Sequence, residues 1–310
     1  MSQVLTTLPT EPSSLVRESG IVMSMLFTYK KMTPAHKAHW KTETELNHQL
    51  SEQFAHLMSS EFIMSHVKFN QIRDWLRDYL YEWNPGHFLR HSSIGTSVTG
   101  ILEYLMAVTG PALSVVYTCS SLHPCGDPIC IPTEHHLDLV LSEARWQRWY
   151  NRGTVHAKPD CKSIQMWLDL ALNSTQLTND LIPAISPCTN GCGLAHHASI
   201  CITSPPPLLV DEVSPATKPA VVPCTTLSMR GREKVEHYSL AAIIYLGGFH
   251  FTARMVDDEG TIWSYDGRQN NGSPWFESEC GSIQDESNIA MLAMFQGRPA
   301  HLYIYMCYTT

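Results

Sequence analysis

The chain has 310 residues, 44% of them hydrophobic and 16% charged, with a formal net charge of −8. That length supports a sizeable core, and that composition excludes a disordered chain. No basic block is present to neutralise phosphates, which argues against a nucleic-acid binder. The N-terminus lacks a basic region followed by an apolar run, and no apolar stretch approaches the roughly 20 residues that span a bilayer, so neither a secretory signal nor a membrane partner is expected. The expected setting is the cytoplasm or nucleus, where thiols stay reduced. Ten cysteines then point to metal ligands, reactive thiols or small buried side chains more than to disulfides.

The first half reads as helical. Leu46, Leu50, Phe54, Leu57 and Met58 follow helical spacing, as do Ile72, Trp75, Leu76, Tyr79, Leu80 and Trp83. Asn84-Pro85-Gly86 ends the second helix by removing a donor and permitting a turn. Val98, Ile101, Leu102, Leu105 and Met106 predict a third, capped by Thr96 or Ser97 and closed by Gly110-Pro111. Beyond it the period changes to two. Leu137, Leu139 and Leu141 predict one strand, Ala198, Ile200 and Ile202 another, and Leu302, Ile304 and Met306 a third near the end. Six prolines between Ser204 and Pro223 predict an extended connection. Asp257-Asp258-Glu259-Gly260 predicts a hairpin turn. Helices followed by strands indicate an α+β class.

The chemistry concentrates near the C-terminus. Two apolar strands flank Gly247-Gly248; His250 opens the second, and Asp266 follows Tyr265 sixteen residues later. A carboxylate at that place can fix the tautomer of an imidazole and support its charged form, the relation of a general base to its orienting group. The bland alternative is a strand histidine and a turn aspartate that never meet.

Tyr238-x-Leu-x-Ala-x-Ile, Gly248-Phe-His250-Phe-Thr-Ala and Trp263-x-Tyr-Asp266 resemble the histidine box of the ubiquitin-specific proteases, papain-like cysteine peptidases that cleave the bond after the ubiquitin C-terminus. His301-Leu-Tyr-Ile-Tyr-Met-Cys-Tyr308 resembles the family's terminal tyrosine-rich strand, and Gly95 to Met106 its helix before the fingers region. The resemblance implies an α+β, papain-like cysteine peptidase fold with a helical N-terminal half and an antiparallel C-terminal sheet. It implies a single domain over 1–310: a disordered lead over 1–16, a thumb-like part over 17–110, a fingers-like part over 111–203 and a palm-like part over 204–310. His250 would be the general base and Asp266 its partner, with ubiquitin or a ubiquitin-like protein as the ligand and no organic cofactor. The match departs at Phe249, where the family has glycine, and in a Trp-to-Asp step one residue shorter.

Cys119, Cys125 and Cys130 fall close together, and Cys188 and Cys192 lie beyond a long insertion. Zinc takes four thiolate or imidazole ligands in a tetrahedron. The family's fingers often hold one zinc by two such pairs, which nominates Cys119, Cys125, Cys188 and Cys192 for a structural zinc. No clean C-x-x-C pair is present, and His123, His196 and His197 are substitutes.

Papain-like chemistry needs a thiolate at a helix start and donors for the oxyanion. The segment in the matching place is Arg17-Glu-Ser-Gly-Ile-Val-Met-Ser24-Met-Leu-Phe27. Laying Ser24 and Leu26 on the family's cysteine box drops its cysteine on Gly20. The first cysteine of the chain is Cys119 and the first asparagine Asn47. The expected function is therefore a degenerate ubiquitin-specific-protease-like domain that binds ubiquitin or a similar tail. The alternatives are an active hydrolase with an unconventional nucleophile, such as Ser19 or Ser24, and a zinc-containing interaction module unrelated to ubiquitin.

Overall fold

The computed structural model describes residues 15–59, 66–86, 88, 112–119, 129–133, 163–166, 169, 196–204, 208–213, 222–230, 235–247, 250–270, 273–279 and 286–308. Four helices come first: α1 (Leu15–Lys31), α2 (Pro34–Glu43), α3 (Glu45–Ser59) and α4 (His66–Trp83). Local chemistry sets their ends. Thr33 caps α2, its hydroxyl accepting from the His36 amide, and Pro34 stands in the first turn where its missing amide hydrogen costs nothing. Thr44 caps α3 in the same way, accepting from the Asn47 amide at 3.0 Å.

The helices over 46–58 and 72–83 fall where their spacing predicts. Helix α1 has no such signature, because Ile21, Val22, Met23, Met25, Leu26 and Phe27 are all buried. A helix covered on every side carries no apolar stripe. It begins at Leu15, inside the stretch 1–16 expected to be disordered. The helix predicted over 98–106 and the strand over 137–141 lie outside the described residues.

Strands β1 (Ala112–Cys119), β2 (Ile129–Thr133) and β3 (His196–Ser204) form a three-stranded antiparallel sheet in the order β2-β1-β3. The main sheet has eight antiparallel strands: β4 (Leu208–Glu212), β5 (Thr226–Arg230), β6 (Val235–Gly247), β7 (His250–Val256), β8 (Thr261–Tyr265), β9 (Trp275–Glu279), β10 (Met294–Phe295) and β11 (Arg298–Tyr308), with α5 (Glu286–Met291) before β10. Its central path runs β10-β11-β6-β7-β8-β9, with β4 beside β11 and β5 beside β6. Strand β4 interrupts the extended connection expected over 204–223. Leu208 to Glu212 carry no proline, so their amides can pair with β11, and Leu208 and Leu209 are buried.

A core lies on each face of this sheet. Helix α1 packs on β6 and β7, with α3 and α4 against its outer side. Phe251, Ala253, Met255 and Tyr265 join that core, and Ile243, Tyr245, Val256, Ile262 and Tyr303 belong to the other. Alternation along β6, β7 and β8 divides the two sets, as a pleat requires. Among the described residues no helix is long and apolar enough to cross a membrane.

Candidate functional site

His250 is the first residue of β7, and Asp266 follows the last residue of β8. These strands pair with Ala253 opposite Tyr265. Continuing that register sets Thr252 opposite Asp266 and His250 diagonally across from it on the same face, within reach of a long side chain. His250 Nε2 lies 2.7 Å from Asp266 Oδ1, and the two side chains are 1% and 3% exposed. An ionised carboxylate only accepts, so Nε2 carries the proton and donates it. Asp266 Oδ1 also accepts from the Arg268 amide at 2.8 Å, which ties the carboxylate to the turn after β8.

With Nε2 engaged, Nδ1 is the nitrogen left to take a proton from a nucleophile. It is buried and has no hydrogen-bond partner among the described residues. Burial is the largest effect on the ring and pushes its pKa below the ordinary histidine value. The hydrogen bond and charge of Asp266 oppose that shift, and the charges of Arg268 and Arg298 add to it. The imidazole is thus held neutral, in one tautomer, beneath the surface.

The segment matched to the cysteine box lies close by. Gly20 is buried on α1, and a Cβ placed on it would stand 3.9 Å from both the Cβ and the carbonyl oxygen of Phe251. Phe251 follows His250, but on a pleated strand the two point to opposite faces. Phe251, Ala253 and Met255 face α1, so His250 shares the other face with Thr252 and Arg254. Ser24 is fully buried, and its hydroxyl donates to the Gly20 carbonyl at 2.8 Å, so it is engaged within its own helix. The Ser19 side chain lies outside the described residues.

Of the nominated zinc ligands, Cys125, Cys188 and Cys192 lie outside the described residues, and Cys119 is described by its backbone. It stands at the end of β1, directly opposite His196, the first residue of β3. Strand β2 starts at that same end of the sheet.

Two charged groupings escaped the sequence reading. One is Arg268, in the turn after β8, with Arg298, the first residue of β11, both at the His250 end of the sheet. The other is Arg254, 8% exposed, whose signal was a charged residue inside the strand Phe251–Val256, which otherwise carries no charge.

No family model matches the chain, and no curated protein matches it. Solved structures do. A chain of the SAGA DUB module of Ubp8, Sgf11, Sus1 and Sgf73 bound to monoubiquitin superposes with a TM-score of 0.57 at 13% identity, over 99% of this chain and 72% of that one. The same module bound to ubiquitin aldehyde gives 0.57 at 12%, over 97% and 69%. The apo Pan2 pseudoubiquitin hydrolase–RNA exonuclease module of Saccharomyces cerevisiae, in complex with RNA, gives 0.50 at 10% over 97% of this chain, which spans about half of that one (54%). The chain has a deubiquitinase-like fold. At these identities the likeness shows the fold alone, and it agrees with the α+β architecture and antiparallel C-terminal sheet expected from the sequence.

Proposed function

We propose that this chain is a ubiquitin-specific-protease-like domain that binds the C-terminal tail of ubiquitin or a ubiquitin-like protein and is catalytically impaired. The observation that carries this reading is the state of His250. It keeps the 2.7 Å bond to Asp266 that a general base needs. Yet its other nitrogen is buried without a partner among the described residues, and glycine stands where a thiol would be sought. A base must reach the proton it abstracts, and His250 at 1% exposure reaches neither solvent nor a nucleophile among the described residues.

The oxyanion side supports the same reading. In an α-helix only the first four amides lack an intrahelical partner. Helix α1 starts at Leu15, so the Gly20 amide lies beyond them and is committed to the helix.

The domain would carry one structural zinc on Cys119, Cys125, Cys188 and Cys192. The register sets Cys119 at the end of the sheet from which the segments bearing Cys125, Cys188 and Cys192 depart, opposite His196, the substitute imidazole donor. Such an ion would be structural, clamping the fingers-like part 111–203 without entering any reaction. Metal content by native mass spectrometry tests it, and a folded, metal-free sample removes the claim.

Hydrolysis of a ubiquitin C-terminal fluorogenic substrate, with ubiquitin binding measured in parallel, tests the main reading. The expected result is binding with no turnover above background. Turnover abolished by His250→Ala would overturn the impairment. Absence of both binding and turnover would favour an interaction module unrelated to ubiquitin.

A further inference from the structure

Three chain reversals meet at the end of the sheet where His250 lies: β6 into β7 after Gly247, β8 into β9 after Tyr265, and β10 into β11 before Arg298. The last is tight, with Gln296 and Gly297 at φ of 49° and 75°. Arg298 lies across Gly247, the residue paired with His250. Its Cγ would be 2.8 Å from a Cβ at that position, so only glycine lets the arginine stem settle there. Arg298 Nε donates to the Gly247 carbonyl at 3.3 Å, and its guanidinium also donates to Gln296 Oε1 at 3.2 Å.

Arg268 stands on the neighbouring turn. Its backbone amide holds Asp266, while its side chain is exposed. Among the described residues neither guanidinium meets a carboxylate. Asp266, the nearest in sequence, directs Oδ1 to His250 Nε2 and the Arg268 amide, and is 3% exposed. Two arginine side chains without a counter-ion among the described residues therefore flank a buried, neutral imidazole in a chain whose net charge is −8.

We propose that Arg268 and Arg298 form a receptor for the free C-terminal carboxylate of a ubiquitin-like tail. A guanidinium presents a planar fork of donors that matches a carboxylate. Arg268 stands two residues after Asp266, and Arg298 lies across Gly247, the residue paired with His250, so both belong to the His250 end of the sheet. A conjugated tail ends in an amide and offers no such anion, so the receptor selects the unconjugated form. This inference rests on the reading that the domain binds ubiquitin-like tails.

Two measurements test it, and the first does not depend on ubiquitin. An anion held beside Arg268 and Arg298 favours the imidazolium, so saturating acetate should raise the His250 titration midpoint followed by imidazole NMR. Arg268→Gln, on an exposed side chain that leaves the turn intact, and Arg298→Gln should each weaken that response. No change with acetate in the wild type overturns the receptor.

The second measurement compares binding of ubiquitin with a free C-terminus and ubiquitin amidated there. Amidation removes a charge-assisted hydrogen bond, which corresponds to about a tenfold or greater weakening, and Arg268→Gln should erase the difference. Equal binding of the two forms overturns the carboxylate selection while the domain reading stands. If neither form binds, the ubiquitin reading fails and the proposed ligand with it, whatever acetate does.

Discussion

On the proposal that no thiol serves His250, position 20 separates two accounts of the loss. If glycine there were demanded by packing, any side chain would strain α1 against β7. A Cβ at this position would instead meet Phe251 at 3.9 Å, an ordinary van der Waals separation, and Gly20 lies inside a regular helix without positive φ. Glycine in a helix interior costs roughly 0.5–1 kcal/mol against alanine. Gly20→Ala should therefore stabilise the fold by about that much, read as a shift of the urea midpoint; a loss of stability would show that the position is sterically closed. Gly20→Cys should also fold, yet gain no hydrolysis of a fluorogenic ubiquitin substrate, because Phe251 and not His250 faces it. The Ser24 and Leu26 match nominated the position, and α1 sets it against Phe251 of β7. The turning of the histidine away from it was not legible in the sequence, since which face a strand residue takes depends on the register that tertiary pairing imposes.

At the level of elements, one buried cation fastens the last helix and hairpin to the sheet. Arg254 on β7 pairs with Glu277 on β9 at 2.8 Å, donates to the carbonyls of Met291 and Met294 at 3.3 and 3.1 Å, and lies 4.4 Å from the centre of the Phe295 ring. Ser264 on β8 donates to the same carboxylate. Removing one partner of a buried pair costs about 3–5 kcal/mol, and partial exposure of Glu277 lowers the expectation to roughly 2–3. Arg254→Ala should unfold at lower urea by that margin and release amide exchange first over 286–295; uniform exchange across β6 and β7 instead would show that Arg254 is no local fastener. The same logic explains which elements the sequence announced. Helices α3 and α4 expose one side and so display a period, whereas α1 is covered all round over 20–29 and β4 hides between prolines. The Arg254 clasp joins residues far apart in sequence that no spacing rule connects.

Across the whole molecule, three histidines on different elements share one direction of titration. Burial lowers the pKa of His36 on α2, with His39 adding to it, and burial alone lowers that of His301 on β11. His250 on β7 is lowered chiefly by burial, then by Arg268 and Arg298, against the opposing pull of Asp266. A histidine whose folded pKa is depressed binds its proton more readily in the unfolded chain, so falling pH drives unfolding. Their stabilisation is complete above the ordinary histidine value of about 6.5 and is lost as pH falls below it toward the folded pKa values. Urea midpoints should thus stay level from neutral pH down to that value and then decline. His250→Gln removes one titrating group and should flatten the decline, even if it lowers stability at neutral pH, whereas a slope unchanged in that variant would mean that His250 is protonated as readily folded as unfolded. That outcome would also undo the picture of a neutral, sealed imidazole, and with it the reason for reading the pair with Asp266 as a retained base that no longer reaches a nucleophile.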